Sequence, residues 1–133
     1  MESKIDTDLG TQENIYVTIG GIEQYLQIRG EDRNNPVILW LHGGPGFPLT
    51  YLTCYYQTAL EKDYTIVCWE QRGCGRTFYR NKGDNNLAIK QLLADTDEII
   101  DYLRGRFGKD KIIIMGQSGG TVLGMEYINV HPE

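Results

Sequence analysis

Cysteine and histidine are scarce in this sequence. It has three cysteines, Cys54, Cys68 and Cys74, with no C-x-x-C spacing, and only two histidines. Neither a disulfide framework nor a zinc site is predicted, so we expect free thiols and no metal or other cofactor. Cys74 lies in a glycine-rich segment, but the sequence shows no histidine or helix N-terminus beside it. A structural role is therefore expected for this thiol rather than that of a nucleophile.

A net positive charge and long apolar runs are also missing. The formal net charge is −5, the pI is about 5.0, and the basic residues are scattered, which argues against a nucleic-acid or anionic membrane surface. Residues 1–11 are polar and acidic, and no run is long enough to span a bilayer. We expect a cytoplasmic protein that binds neither nucleic acid nor membrane, with residues 1–133 forming a single domain.

A serine between two glycines is the most informative feature of the chain. Gly-Gln-Ser-Gly-Gly at 116–120 follows an apolar run at 111–115 and precedes a predicted helix at 121–130. This G-x-S-x-G pattern at a strand-to-helix junction is a nucleophile elbow, a tight turn in which the nucleophile has a strained backbone and the glycines admit neighbouring backbone. Ser118 is the predicted catalytic nucleophile.

A glycine-rich loop after an earlier strand supplies the second motif. The apolar run 37–41 leads directly into His42-Gly43-Gly44-Pro45-Gly46. An oxyanion hole in such a fold takes one backbone N–H from the residue after the nucleophile, here Gly119, and one from this loop. Because Pro45 has no N–H, the second donor is Gly43 or Gly44, and Gly44 is favoured.

A third segment makes the pattern specific. The buried strand predicted at 64–69 is followed by Glu-Gln-Arg-Gly-Cys-Gly-Arg-Thr at 70–77. HGGPG, then this arginine loop, then GxSxG, in this order, resembles the α/β-hydrolase family of prolyl aminopeptidases, over about residues 15–133. The resemblance assigns the nucleophile to Ser118 and the oxyanion loop to 42–46. It gives supporting roles to His42, Pro45, Gly46, Gln71 and Arg72.

The resemblance also implies an activity. Family members and their relatives hydrolyse peptides, amides, esters or lactones, so a small molecule of one of these classes is the expected substrate. Two positions differ from the family pattern: Glu70 stands where Asp is usual, and Gly119 stands where Trp is frequent. The missing Trp would widen the acyl pocket.

Hydrophobic periodicity predicts an N-terminal hairpin followed by a mostly parallel sheet with helices on both faces, the N-terminal half of an α/β-hydrolase fold. The predicted strands are 14–19, 22–29, 37–41, 64–69 and 111–115, and the predicted helices are 48–60, 87–107 and 121–130. The segment 70–86 is predicted to be a loop. Four acidic residues of the second helix are predicted to lie on its solvated face: Asp95, Asp97, Glu98 and Asp101.

The catalytic base and acid are not evident. His131 lies at the far end of the helix that starts at the elbow, about 20 Å from Ser118 at 1.5 Å per residue, and His42 is implied to be a scaffold residue. We therefore expect the acid, the catalytic His and the cap to lie outside these 133 residues, so that the chain alone is inactive. A non-catalytic binding domain on the same fold is the alternative. Nucleotide binding is not supported, because Gly73-Cys74-Gly75 has no third glycine.

The fifth predicted strand is expected to lie at the edge of the sheet. By resemblance the strand order is 1-2-4-3-5, and the strand at 111–115 is rich in isoleucine and has no proline. An apolar edge of this kind recruits another strand. A homodimer, or aggregation, through the fifth strand is therefore expected.

Overall fold

The computed structural model describes residues 3–44, 46–83 and 86–133, with only the backbone at Cys54. Its strands and helices alternate after an initial hairpin. They are β1 (Thr11–Ile19), β2 (Ile22–Gly30), β3 (Val37–Leu41), α1 (Thr50–Tyr56), β4 (Thr65–Glu70), α2 (Gly75–Arg80), α3 (Ile89–Phe107), β5 (Ile113–Gly116) and α4 (Gly119–Val130).

The five strands form one mixed sheet in the order β1-β2-β4-β3-β5, which confirms the predicted order. β1, β2 and β4 pair antiparallel, whereas β3 pairs in parallel with β4 and β5. The carboxyl ends of β3, β4 and β5 therefore lie at the same end of the sheet, which is where ligands bind in open α/β sheets. The three sequence motifs all start at these carboxyl ends.

The hairpin turn is formed by two glycines with positive φ. Gly20 has φ 58° and Gly21 has φ 79°, and Ile19 pairs with Ile22 across them. Two-residue turns with left-handed backbone at both positions match the twist of the flanking strands, and glycine adopts that conformation without a Cβ clash. The register of the whole hairpin follows from this turn.

Alternate residues of the inner strands face two different layers. On one face, apolar side chains of β2, β3 and β4 pack against α3 and α4. On the other, α1 and α2 pack through hydrogen bonds, for example Thr53 Oγ1 to Gln27 Oε1 at 3.0 Å and the Tyr25 N–H to Thr77 Oγ1 at 2.9 Å. The buried apolar cluster comprises Ile19, Leu26, Ile28, Val37, Leu39, Leu41, Val67, Trp69, Ile99, Ile100, Leu103, Leu123 and Tyr127.

β1 begins at Thr11, three residues before the predicted 14–19, and β5 begins at Ile113, two residues after the start of the predicted 111–115. Two other predicted segments differ more. The first helix is shorter than the predicted 48–60, because α1 ends at Tyr56 and turns follow it. The segment predicted to be a loop contains α2, whose six residues are too few to show a hydrophobic period. Tertiary contacts hold α2 in place: Thr77 Oγ1 donates to the Glu70 carbonyl at 2.5 Å, and the Glu70 carboxylate accepts from the Arg76 N–H.

Candidate active site

Ser118 has the backbone conformation expected of a nucleophile elbow. Its φ is 51° and its ψ is −119°, and it is the one non-glycine residue with positive φ in the described part of the chain. Such backbone costs about 1–3 kcal/mol and persists only where the surroundings enforce it. Ser118 lies between β5 and α4 with an exposed side chain.

Glycines on both sides of Ser118 let the elbow contact backbone directly. A β-carbon on Gly120 would lie 2.1 Å from the carbonyl oxygen of Leu41, and one on Gly116 would lie 2.8 Å from the carbonyl oxygen of Gly120. The Gln117 N–H also donates to the Leu41 carbonyl at 3.1 Å. The elbow is therefore fixed against the end of β3, where the HGG loop, residues His42 to Gly44, begins.

The HGG loop lies directly beside the nucleophile. A β-carbon on Gly43 would be 3.0 Å from Ser118 Cβ, and one on Gly119 would be 2.4 Å from the Gly44 carbonyl oxygen and 3.3 Å from the Gly44 nitrogen. The Gly44 peptide thus packs directly against Gly119, and a cavity of about 360 Å³ borders both residues. A cavity of about 240 Å³ opens beside Ser118 and is lined by Gly43, Gly44, Phe47, Leu49, Gln117 and Ser118.

His42 orients the start of this loop through both ring nitrogens. Its Nε2 accepts the Gln71 backbone N–H at 3.1 Å, so the ring proton is on Nδ1, which donates to the Gly43 carbonyl at 2.8 Å. Burial lowers the pKa of His42, although the Gly43 bond and the Glu70 carboxylate act in the opposite direction. His42 is a neutral scaffold residue with no free nitrogen to act as a base.

The Gly43–Gly44 peptide is held from its carbonyl side. The Gly43 oxygen accepts from His42 Nδ1 and, at 3.2 Å, from the Phe47 N–H. In a planar trans peptide the C=O and the following N–H point in opposite directions, so the Gly44 N–H is turned away from His42. Neither this N–H nor that of Gly119 has a hydrogen-bond partner among the described residues. Two adjacent free donors are the components of an oxyanion hole.

The arginine loop is organised by Glu70. The Glu70 side chain is 2% exposed and pairs with Arg76 at 2.7 Å while accepting from the Thr50 hydroxyl. It also accepts from the backbone N–H of Arg76 in the first turn of α2. The side chain of the N-cap residue Cys74 makes no capping hydrogen bond, so Glu70 takes over this role. The side chain of Glu70, longer than the family's Asp, therefore links α1 to α2.

Arg72 does not point at the nucleophile. It forms a bidentate ion pair with Asp95 of α3, with Nε 2.9 Å from Oδ2 and Nη2 3.1 Å from Oδ1, and Nη2 also donates to the Gly20 carbonyl at 2.8 Å. The prediction that Asp95 lies on a solvated face is wrong, because its side chain is 0% exposed. Helix α3 crosses the hairpin tip, which the helical period cannot reveal. Asp97, Glu98 and Asp101 are exposed or half-buried.

Cys74 has neighbours that the sequence did not reveal. It is the N-cap residue of α2, and its Sγ lies 3.2 Å from His42 Nε2 and donates to the Gln71 carbonyl at 2.9 Å. Burial, followed by the Glu70 carboxylate, nevertheless raises the pKa of the Cys74 thiol to about 12. The pKa of Cys68 is raised to about 12 as well, mainly by burial. Both are therefore protonated at neutral pH, and thiols in that state are poor nucleophiles.

The remaining site predictions have different outcomes. Gly46 has φ 81°, and a β-carbon on it would lie 3.8 Å from Cys74 Cβ. Pro45 lies outside the described residues. His131 caps the C-terminus of α4 and stacks on Tyr127 with ring centroids 4.5 Å apart. The cavity walls formed by Phe47 and Leu49 were missed, because neither residue belongs to a motif.

The described residues contain no group of three or more His, Cys, Asp or Glu side chains that could hold a metal ion. In the same part of the chain, none of the helices has the length and apolar character needed to cross a membrane.

The sequence is similar to that of known hydrolases. Residues 36–133 match the family model described as alpha/beta hydrolase fold. The chain is 34% identical over 117 residues to a probable aminopeptidase of Bacillus subtilis (strain 168), and 31% identical over 115 residues to a proline iminopeptidase of Thermoplasma volcanium. These alignments cover 88% and 86% of this chain. The chain spans 37% of the length of each relative.

Solved structures with the same arrangement include the proline iminopeptidase-related protein of Thermus thermophilus. It superposes with a TM-score of 0.75 at 28% identity, covering 92% of this chain and 41% of that one. An epoxide hydrolase of Vigna radiata superposes with a TM-score of 0.73 at 26% identity, covering 91% of this chain and 36% of the other.

Proposed function

Because the chain belongs to the alpha/beta hydrolase fold family, we propose that it carries the nucleophile and the oxyanion hole of a serine hydrolase of the proline iminopeptidase type. The observation that carries this proposal is the strained backbone of Ser118 beside two free N–H groups, those of Gly44 and Gly119. The relatives named as proline iminopeptidase or aminopeptidase support the reaction class.

The proposed reaction is acyl transfer through Ser118. Its Oγ attacks the substrate carbonyl carbon, and the N–H groups of Gly44 and Gly119 donate hydrogen bonds to the oxygen that becomes negative. As the carbon–nitrogen or carbon–oxygen bond breaks, the leaving group takes the proton that Ser118 lost to a base, and water then hydrolyses the acyl-enzyme. Neither His42 nor His131 is free and close enough to be that base.

The substrate class follows from this chemistry. A small peptide, amide or related ester or lactone fits a carbonyl-directed nucleophile with a cavity of about 240 Å³ beside it. We assign the protein to the cytoplasm, with residues 1–133 acting as one folding unit. We also assign a second copy of the chain as a partner at the exposed edge of β5.

A fluorophosphonate probe tests the proposal in the intact gene product that contains this chain. We expect covalent labelling at Ser118, and we expect Ser118→Ala to abolish labelling and to lower kcat by about 10⁴-fold or more, since triad members act as a unit. A folded protein that is neither labelled nor active would instead support the alternative, a binding domain on the same fold. Near-normal turnover of Ser118→Ala would exclude Ser118 as the nucleophile.

A further inference from the structure

We infer that Asp95 is a positioning residue for the oxyanion hole, acting through Arg72, Gln71 and His42; the inference rests on the proposed function. Asp95 is in the middle of α3 and none of its contacts involves the HGG loop or the elbow. Its effect on the site is carried by hydrogen bonds that end at the carbonyl of Gly43.

Each carboxylate oxygen of Asp95 accepts two hydrogen bonds. Besides the two bonds from Arg72, it accepts from Gln24 Nε2 at 2.8 Å and from Gln91 Nε2 at 2.8 Å. Gln24 in turn accepts the Trp69 indole N–H at 2.9 Å. A buried carboxylate with four donors has one orientation, because any rotation leaves a buried polar group unpaired. Arg72 therefore meets a rigid partner.

The fork of Arg72 transfers this rigidity to the neighbouring peptide. Its side chain is 2% exposed and is anchored at three points, two on Asp95 and one on the Gly20 carbonyl. Because Gln71 directly precedes Arg72, the anchored arginine restricts the backbone from which the Gln71 N–H donates to His42 Nε2 at 3.1 Å.

His42 completes the connection. The Gln71 N–H places the imidazole proton on Nδ1, and that proton holds the Gly43 carbonyl at 2.8 Å. The orientation of the Gly43 carbonyl sets the direction of the Gly44 N–H across the same planar peptide. If the Gln71 backbone shifts, His42 loses its hydrogen bond at Nε2, its ring is no longer held in one orientation, and the Gly44 N–H is no longer directed at the site.

A second buried ion pair provides a matched control. Arg29 and Glu61 have side chains that are 1% and 3% exposed and are joined by bonds of 2.6 Å and 3.2 Å. Arg29 lies opposite Ile66 near the start of β4, whereas Arg72 follows the end of β4. Changes at Arg29 should therefore disturb folding to a similar degree without reaching the HGG loop.

The test compares Arg72→Lys with Arg29→Lys in the intact gene product. Lysine keeps the positive charge that each buried carboxylate needs, so both variants should fold. It lacks the planar fork that makes two parallel hydrogen bonds. We expect Arg72→Lys to lower kcat per folded molecule by about 10-fold or more, with KM within about 2-fold. The loss should be smaller than the roughly 10²–10³-fold caused by removal of a whole oxyanion donor, because the donor is misaligned and not removed. Arg29→Lys should leave kcat within about 2-fold. Asp95→Asn and Glu61→Gln form a second matched pair.

A spectroscopic readout separates positioning from general destabilisation. Nitrogen NMR of labelled histidine should show one neutral tautomer of His42, with the proton on Nδ1, in the unmodified protein and in Arg29→Lys. Arg72→Lys should show a shifted Nε2 resonance, because the hydrogen bond from the Gln71 N–H to that nitrogen weakens. Equal kcat losses in the two lysine variants, or an unchanged Nε2 resonance in Arg72→Lys, would overturn the inference while probe labelling of Ser118 still supports the proposed function. Failure of labelling in the unmodified protein would remove both.

Discussion

Gly119 and Gly44 approach so closely that a β-carbon at position 119 would lie 2.4 Å from the Gly44 carbonyl oxygen. Gly119→Ala must therefore displace the Gly44 peptide, one of the two proposed oxyanion donors. We expect kcat of the intact gene product to fall by about 10²-fold, the effect of losing one such donor, with KM little changed. Steady-state kinetics measure this. Gly105→Ala is the control, because a β-carbon there meets nothing within 4 Å.

Adding a side chain at an elbow glycine should also destabilise the fold, whereas adding one at an exposed helical glycine should not. Gly120→Ala would place a β-carbon 2.1 Å from the Leu41 carbonyl oxygen, and we expect it to lower the free energy of unfolding by about 3 kcal/mol or more. Gly105→Ala, on the exposed face of α3, should raise it by about 0.5–1 kcal/mol. Urea denaturation measures both changes. If Gly120→Ala altered the free energy of unfolding as little as Gly105→Ala does, the close packing of Gly120 against β3 would be contradicted.

Stability should also fall in mild acid because of His42. Burial lowers the pKa of His42 in the folded chain, so below the ordinary histidine pKa of about 6.5 the unfolded chain binds the proton first. The free energy of unfolding should therefore decrease between pH 7.5 and pH 5.5. With His131→Gln in the background, His42 is the sole histidine, and adding His42→Gln should make this decrease smaller. A pH dependence unaffected by His42→Gln would contradict the neutral buried state.

The 133-residue chain by itself should show little or no turnover. The described residues place neither histidine where it can deprotonate Ser118, and an oxyanion hole without a base leaves at most about 10³–10⁴ over the reaction in water. Assays of the purified chain with a proline arylamide and a nitrophenyl ester measure this. Turnover of about 10 s⁻¹, the median for enzymes, would mean that His42 or a second copy supplies the base.

The edge of β5 should make the isolated chain associate. β5 pairs with β3 on one side only, and Ile113 is 45% exposed there. We expect dimers or larger species in sedimentation at micromolar concentration, and Ile113→Lys should reduce them, because a charge on an exposed edge opposes strand pairing. Leu9→Lys, at a residue 47% exposed near the N-terminus, should not. A stable monomer would rule out pairing through this edge.

The sequence was most informative where local patterns decide the structure. The bounds of β3 and the turn at Ser118 agree with the predictions, because apolar periodicity and glycine spacing act within a few residues. The strand order also agrees, but it was implied by the family resemblance and not by these local patterns. Pro45 is the one predicted site residue that the structure does not describe.

What the sequence did not show depends on contacts between distant segments. Asp95 is buried because Gly20 at the hairpin tip and Arg72 in the loop after β4 both lie over α3. These residues are 75 and 23 positions away from Asp95 in the sequence. The neighbours of Cys74 have the same origin, since His42 precedes it by 32 residues. No helical or strand period contains this information.

The glycine packing of the elbow also determines where the site can be redesigned. Side chains at 116, 119 and 120 would all collide with backbone atoms, and Ser118 is the proposed nucleophile, so between the two outer glycines only Gln117 tolerates a choice of residue. Substrate preference must then be varied on the surrounding walls. A mutant library aimed at new substrates should randomise Phe47, Leu49 and Gln117, which line the cavity next to Ser118, and leave the elbow glycines untouched.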